Sequence, residues 1–431
     1  IIWRQIDVMK SIFVGLSKIA LFLSLTACDE NQSSSLESET TLIEPGEDAT
    51  DIKVVLNQNP LKDAFFGDIH VHSNNSLDAY SLAGVRASTD DAYRFARGEA
   101  IEHPLGYRIR LKGEPLDFYA VSDHAEFFGV VKSLADPTGP FRTHPLAALI
   151  QSPEKADNRK GFVALDAELT RGEPIDPPLE SEPVIRSAWQ ENINIANKNY
   201  EPGKFTTFIA YEYSSHPQNA NLHRVIVFPK DDGPLRPFGF QDSMNPEDLW
   251  DWLDALRSDG LDSIAIPHNS NWSQGLMFQR VTMDGGPITA AYAEQRLRNE
   301  PMVEITQIKG TSETHPLLSP EDEWSDFELW FKNRGKLDEN GRYIRDEDGN
   351  VVEFDGATTG AYARDALLTG MELEETVGVN MYQFGFIGST DGHNAASPFE
   401  EDEYFGKLGT NDGLPELRGS VPTDEKLPSI M

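Results

Sequence analysis

Gly67-Asp68-Ile69-His70-Val71-His72 is the stretch from which the rest of the chain can be read. Side chains at i and i+2 of an extended strand leave on the same side, so His70 and His72 can grip one ion together. Working outward, residues 64–71 read as a strand. Further apolar stretches follow at 116–122, 205–213, 224–228, 263–267, 302–308 and 384–389. Helical patterns separate them at 181–200, 245–259, 360–375 and from Ser319-Pro320 towards Lys332. Asn245 suits an N-cap, Pro246 the first helical position, and Gly260 a C-terminal stop. Strands alternating with helices are the grammar of a parallel α/β sheet or barrel.

The chain has ten histidines, and six of them cluster at the edges of these strands, close to acids. After His70 and His72 comes Asp78. Val121-Ser122-Asp123-His124 ends the second strand, and Tyr211-Glu212-Tyr213 the third. Asn221-Leu222-His223 opens the fourth, which makes His223 the one histidine that starts a strand. Ile266-Pro267-His268-Asn269 ends the next. Ser389-Thr390-Asp391-Gly392-His393-Asn394 ends the last and gives a second i, i+2 pair. Imidazole and carboxylate together suit Zn, Mn or Fe. Strand ends of a parallel barrel converge on one face, so scattered motifs of this kind are expected to meet in space. Asp123 is expected to orient His124 and not to ligate. His103, His144, His216 and His315 fit no motif and read as surface or loop residues.

Composition bounds the rest. The 431 residues are 39% hydrophobic and 25% charged, enough for one large barrel or two ordinary domains. A net charge of −34 repels nucleic-acid backbones, so no nucleic-acid partner is expected. The sole cysteine, Cys28, excludes an intrachain disulfide. It ends a short apolar run, Ile19 to Ala27, that follows Met9, Lys10 and Lys18, and it closes Leu25-Thr26-Ala27-Cys28. This resembles a bacterial lipoprotein signal, which implies lipidation of Cys28 and export to the periplasm or cell envelope on a lipid anchor. Residues 1–8 then lie upstream of the start at Met9. The expected organisation is a signal region 1–28, a polar tether 29–60 and a folded domain 61–431, with helical or loop insertions at 129–204 and 310–380. Within the second insertion, Arg345-Asp346-Glu347-Asp348-Gly349-Asn350 reads as a hairpin turn and not a calcium loop.

Taken in order, the H-x-H, S-D-H, strand-end Glu, separate histidines and D-x-H resemble the PHP (polymerase and histidinol phosphatase) superfamily. Pro115-Leu116-Asp117-Phe118 and Gln307-Ile308-Lys309-Gly310-Thr311-Ser312-Glu313 suggest its exported, PHP-like subgroup of unassigned function. The resemblance spans residues 64–406. It implies a distorted (β/α)7 barrel and two to three divalent ions. One ion would take His70, His72, Glu212 and Asp391. A second would share Glu212 and add His223 and His268. A third would take Asp78, His124 and His393, with Asp78 standing where relatives carry histidine. The implied reaction is hydrolysis of a small-molecule phosphoester by metal-activated water. Asp391, His393 and Glu212 would serve the chemistry, and Arg224, Asn269 and Lys309 would hold substrate oxygens. Arg224 as a salt-bridge partner and Lys309 as a loop lysine are equally open readings. A hydrolase of another ester or an amide, and a non-catalytic metal-binding lipoprotein, also remain open, as does the oligomeric state.

Overall fold

The computed structural model describes residues 62–171, 173–217, 220–229, 231–330, 344–347, 349, 352 and 358–416. The signal region with Cys28, the tether 29–60, Lys332, Asp348 and Asn350 lie outside the described residues. The strands in chain order are β1 (Gly67–Asp68), β2 (Ile101–Glu102), β3 (Arg108–Ile109), β4 (Phe118–Val121), β5 (Thr206–Tyr213), β6 (Arg224–Phe228), β7 (Ile264–Pro267), β8 (Met302–Gln307), β9 (Gly310–Thr311) and β10 (Gly385–Gly388). The helices are α1 (Leu77–Ser81), α2 (Thr89–Ala96), α3 (Val130–Ala135), α4 (Pro145–Ile150), α5 (Lys155–Arg171), α6 (Glu182–Asn199), α7 (Pro246–Ser258), α8 (Ala290–Asn299) and α9 (Ala363–Val377). The fold is mixed α/β. A curled sheet runs β1-β4-β5-β6-β7, and a smaller one runs β10-β8-β9. Among the described residues no helix is long and apolar enough to cross a membrane.

Each strand of the large sheet sorts its side chains by the two-residue period. Ile209, Tyr211 and Tyr213 of β5 and Ile226 and Phe228 of β6 face the helices, where they meet Trp189 and Ile193 of α6 and Leu249 and Leu253 of α7. Ala210 of β5 and Val225 and Val227 of β6 face the other way. There they join Ile69, Ala120, Ile264 and Ile266, flanked by Met302 of β8 and Ile387 of β10. One apolar cluster thus draws on both sheets. Helix α7 forms where its sequence signals place it: Asn245 accepts from Glu247 N–H at 3.0 Å, Pro246 is the first residue, and Gly260 follows at φ +93°.

Two expectations are corrected. Strand β6 is antiparallel to both β5 and β7, so the large sheet is not all parallel. The connection from Tyr213 to Arg224 is shorter than the dozen or so residues a parallel crossover needs. No helix forms from Ser319, where residues 319–328 make successive turns. The Asp322 carboxylate takes the Trp324 N–H at 3.0 Å, and Ser325 and Phe327 N–H bond three residues back, which competes with helical pairing. His103 and His315 lie in loops but are buried. Within the acidic stretch, the Gly349 N–H bonds the Asp346 carbonyl at 3.1 Å and Val352 N–H bonds Ile344 at 2.8 Å, as a turn between paired arms would.

Candidate metal centre

The reversal of β6 assembles the centre. Because β6 is antiparallel, its first residue pairs with the last residues of its neighbours, Arg224 with Tyr213 and with Pro267. His223 therefore lies at the same edge as Glu212 and His268, although it starts its strand. Parallel bridges, Val71 with Gly392 and His124 with Glu212, bring the remaining motifs to that edge. At Gly392 a Cβ would stand 2.1 Å from the Ala396 carbonyl, so only glycine passes between Asp391 and His393. Asn269 and Asp391 follow strand ends at φ +48° and +53°, a left-handed conformation that few residues other than glycine adopt.

All nine residues expected as ligands are buried and adjoin one another. Eight of them fall into overlapping groups: His72, Asp78, His124 and His393; His70, His72 and Glu212; and Glu212, His223 and His268. A fourth group joins His70 and His268 to Glu304, and Asp391 adjoins through His70 and His72. Glu212 sits between them. Its Oε1 lies 2.6 Å from His223 Nδ1 and 2.9 Å from His268 Nε2. Its Oε2 lies 3.3 Å from His70 Nε2 and 3.2 Å from His72 Nε2. Asp391 Oδ1 faces the same two Nε2 atoms at 3.3 and 3.0 Å. Asp78 Oδ2 stands 2.6 Å from His393 Nε2 and 3.5 Å from His124 Nε2.

Outer partners fix how the imidazoles point. Ser76 donates its one hydroxyl hydrogen to Asp123 Oδ1 at 2.9 Å, so it must accept from His72 Nδ1–H, 2.8 Å away. His393 Nδ1–H donates to the Asp391 carbonyl at 2.8 Å, because a carbonyl can only accept. His70 Nδ1 meets Glu304 Oε2 at 2.9 Å, and His124 Nδ1 meets Ser214 Oγ at 2.6 Å. His72 and His393 thus turn Nε2 lone pairs toward carboxylate oxygens. Acceptor facing acceptor is held only by a proton or a cation between them. Among the described residues, His268 Nδ1 and Glu304 Oε1 are buried with no hydrogen-bond partner. The donor set fits divalent ions on these grounds.

The electrostatics agree. Burial works against the charged form of His124, but the Glu212 and Asp78 carboxylates outweigh it and raise the imidazole to about 9. Burial alone would raise Glu212, yet His124 and His268 hold it well below the usual carboxylate range. Burial lowers His393 to about 4. Without metal, the cluster must borrow protons to balance its carboxylates.

Asp123 takes a different partner, and the open readings of Arg224 and Lys309 narrow. Asp123 does not touch the His124 ring. It accepts from Ser73 N–H and Oγ–H, both at 2.6 Å, and from Ser76, and so acts on His72 through that hydroxyl. Arg224 is buried and donates to Glu300 at 2.9 Å and to the Leu222 carbonyl, which supports the salt-bridge reading left open for it. Lys309 is no solvated loop lysine: it is buried and paired to Asp391 Oδ2. Asn269 is buried, its Oδ1 accepting from Gln307 at 3.0 Å and its Nδ2 without a partner among the described residues.

Three neighbours carried no usable motif. Glu304 lies in β8, where a lone acid inside an apolar strand was the available signal. Lys407 reaches Asp391 Oδ2 at 2.6 Å from a loop, and burial lowers its ammonium to about 7. His216 stands with its Nε2 2.8 Å from His223 Nε2, at the rim of the cluster and not apart from it. Its position four residues after Glu212 was the only hint.

No curated protein and no solved structure matches the chain. A family model described as protein of unknown function (DUF3604) matches residues 59–427, and with most of the 431 residues covered the chain belongs to that family.

Proposed function

We propose that the protein is a metal-dependent phosphoesterase of the cell envelope, built on a distorted seven-stranded PHP-type (β/α)7 barrel. The barrel reading is supported by the apolar cluster that joins β4, β5, β6 and β7 with Ile69, Met302 and Ile387. The functional reading is carried by one observation: His72 and His393, their tautomers set by Ser76 and the Asp391 carbonyl, aim lone pairs at carboxylates across gaps of 3.0 and 2.6 Å. Ions bound there would supply Lewis acidity and offset charge developing on phosphoryl oxygens.

The chain's own residues set up the rest. Glu212 presents its two oxygens to different histidine groups, so one carboxylate can serve two cations and offset their repulsion. Glu304, Ser76 and Ser214 lock His70, His72 and His124 in orientation. Asp391 divides its oxygens, Oδ1 to His70 and His72 and Oδ2 to Lys309 and Lys407. Burial excludes bulk water and strengthens each of these interactions. Membrane attachment through a lipidated Cys28 belongs to the same reading, and Cys28→Ser should move the protein from the membrane fraction to the soluble one.

The test is initial hydrolysis rates on matched chromogenic phosphate mono-, di- and triesters, with Mn or Zn and with a chelated control. Metal-dependent turnover of one ester class is expected. Metal retention with no turnover on any ester would sink the reading in favour of another bond or a non-catalytic role.

A further inference from the structure

Two ammonium groups meet one carboxylate oxygen at the edge of the centre. Lys309 pairs with Asp391 Oδ2, and Lys407 donates to the same atom at 2.6 Å. Both lysines are buried. Their backbones are pinned. Lys309 N–H donates to Gln307 Oε1 at 3.0 Å, and its carbonyl accepts from Asn271 Nδ2 at 3.2 Å. Lys407 N–H donates to Asp412 at 2.7 Å, and its carbonyl accepts from His393 N–H at 2.8 Å. The ammoniums are therefore held in place and have not simply swung in from solvent.

One carboxylate does not balance them. Asp391 carries a single negative charge, and its other oxygen already faces His70 and His72. Each ammonium has three hydrogens to donate, and among the described residues no further hydrogen bond takes the remaining ones. Glu212 and Asp78 also act on Lys309, and Asp78 on Lys407, but divalent ions on the histidine side would claim those carboxylates. Burying such charge without a counter-charge is costly. A third donor belongs to the same linked loops: Asn269 Nδ2 is buried with no partner among the described residues, and Gln307 ties Asn269 to Lys309.

We infer that Lys309 and Lys407, with Asn269, form an oxyanion-binding wall opposite the histidines, and that this wall selects a substrate group bearing two negative charges, the terminal phosphate of a monoester. A monoester end offers three non-bridging oxygens and a second charge, whereas a diester offers two oxygens and one charge. The substrate assignment rests on the phosphoesterase reading. The wall itself does not need turnover to be detected.

The experiment is isothermal titration of the Mn-loaded full chain with inorganic phosphate and, separately, with the monoanion dimethyl phosphate, with bound metal measured for every protein. Phosphate should bind the wild type more tightly than dimethyl phosphate. Lys407→Met and Lys309→Met should each weaken phosphate by roughly tenfold or more, the loss of a charge-assisted bond, and dimethyl phosphate by less than about threefold. Lys407→Arg keeps the charge and checks the fold; it should hold phosphate affinity within about threefold of wild type. Equal weakening of both probes in variants that keep their metal would overturn the proposal, as would a wild type that binds both probes alike. Phosphate binding in a protein that hydrolyses no ester would leave the wall standing and fail the phosphoesterase reading. Ester hydrolysis by a protein with no preference for phosphate would do the reverse.

Discussion

Two clusters of buried charge lie on either side of β6, and they are built in opposite ways. Around Glu300 the carboxylate is met by two guanidinium groups and an indole. Arg224 Nε donates to its Oε1 at 2.9 Å, Trp250 Nε1 donates to the same oxygen at 2.8 Å, and Arg296 pairs with Oε2 at 3.0 Å. Arg296 also donates to the Met277 carbonyl at 2.6 Å. At the other cluster, imidazole nitrogens whose ring partners are already engaged face carboxylate oxygens at 3.0 and 2.6 Å. Burial alone therefore does not distinguish a functional group of charges from a structural one. The balance of charges does, since a carboxylate already matched by guanidinium groups has no place for a cation, whereas imidazole nitrogens facing carboxylates need a proton or a cation between them.

That contrast can be broken most directly at the two central carboxylates. Glu212→Gln keeps the shape and removes the charge shared between histidine groups. Turnover should fall by about a thousandfold or more while folding is retained, and near-wild-type rates would erase the contrast. Glu300→Gln should do the opposite. It leaves Arg224 and Arg296 without their counter-charge and should cost about 3–5 kcal/mol in denaturant unfolding. The ester turnover of its folded fraction should stay unchanged, and a loss of turnover would put Arg224 back at the substrate.

Metal sharpens the comparison further. Saturating Mn or Zn should raise unfolding stability by about 2.7 kcal/mol at a concentration a hundred times the dissociation constant. Chelation should remove that increment. The same increment should survive Glu300→Gln and shrink in Glu212→Gln, and equal increments in the two variants would contradict the assignment. The smallest expected effect is at Ser214, which holds only the outer nitrogen of His124. Ser214→Ala should weaken metal affinity by about tenfold, read by competition with a chelating dye, with the midpoint of denaturant unfolding little changed.

Much of the fold was legible before any geometry. The strands at 116–122, 205–213, 224–228, 263–267 and 302–308 were recognisable because apolar runs bounded by turn signals carry their own length and period. Helix α7 was legible from its ends, through Asn245, Pro246 and Gly260. The helix expected from Ser319 failed because Asp322 offered its own backbone a competing bond, a choice made over a few residues that a pattern of apolar spacing does not register. Residues in tight motifs, such as His70 with His72 and Asp391 with His393, could be named because their i, i+2 spacing carries the geometry within it.

The sequence by itself determined which residue types gather at the strand edges, because strand period and turn chemistry are local. Only the tertiary structure decided what those residues face. The direction of β6 placed His223 beside Glu212 instead of at the far end of the sheet. The closing of nearby loops gave Lys407 to Asp391 and His216 to His223, and the packing of β8 gave Glu304 to His70. Those pairings join residues far apart along the chain or in no motif at all, and they depend on how sheets curl and loops close. No local spacing encodes that, which is why single charged residues stayed silent until the fold brought them together.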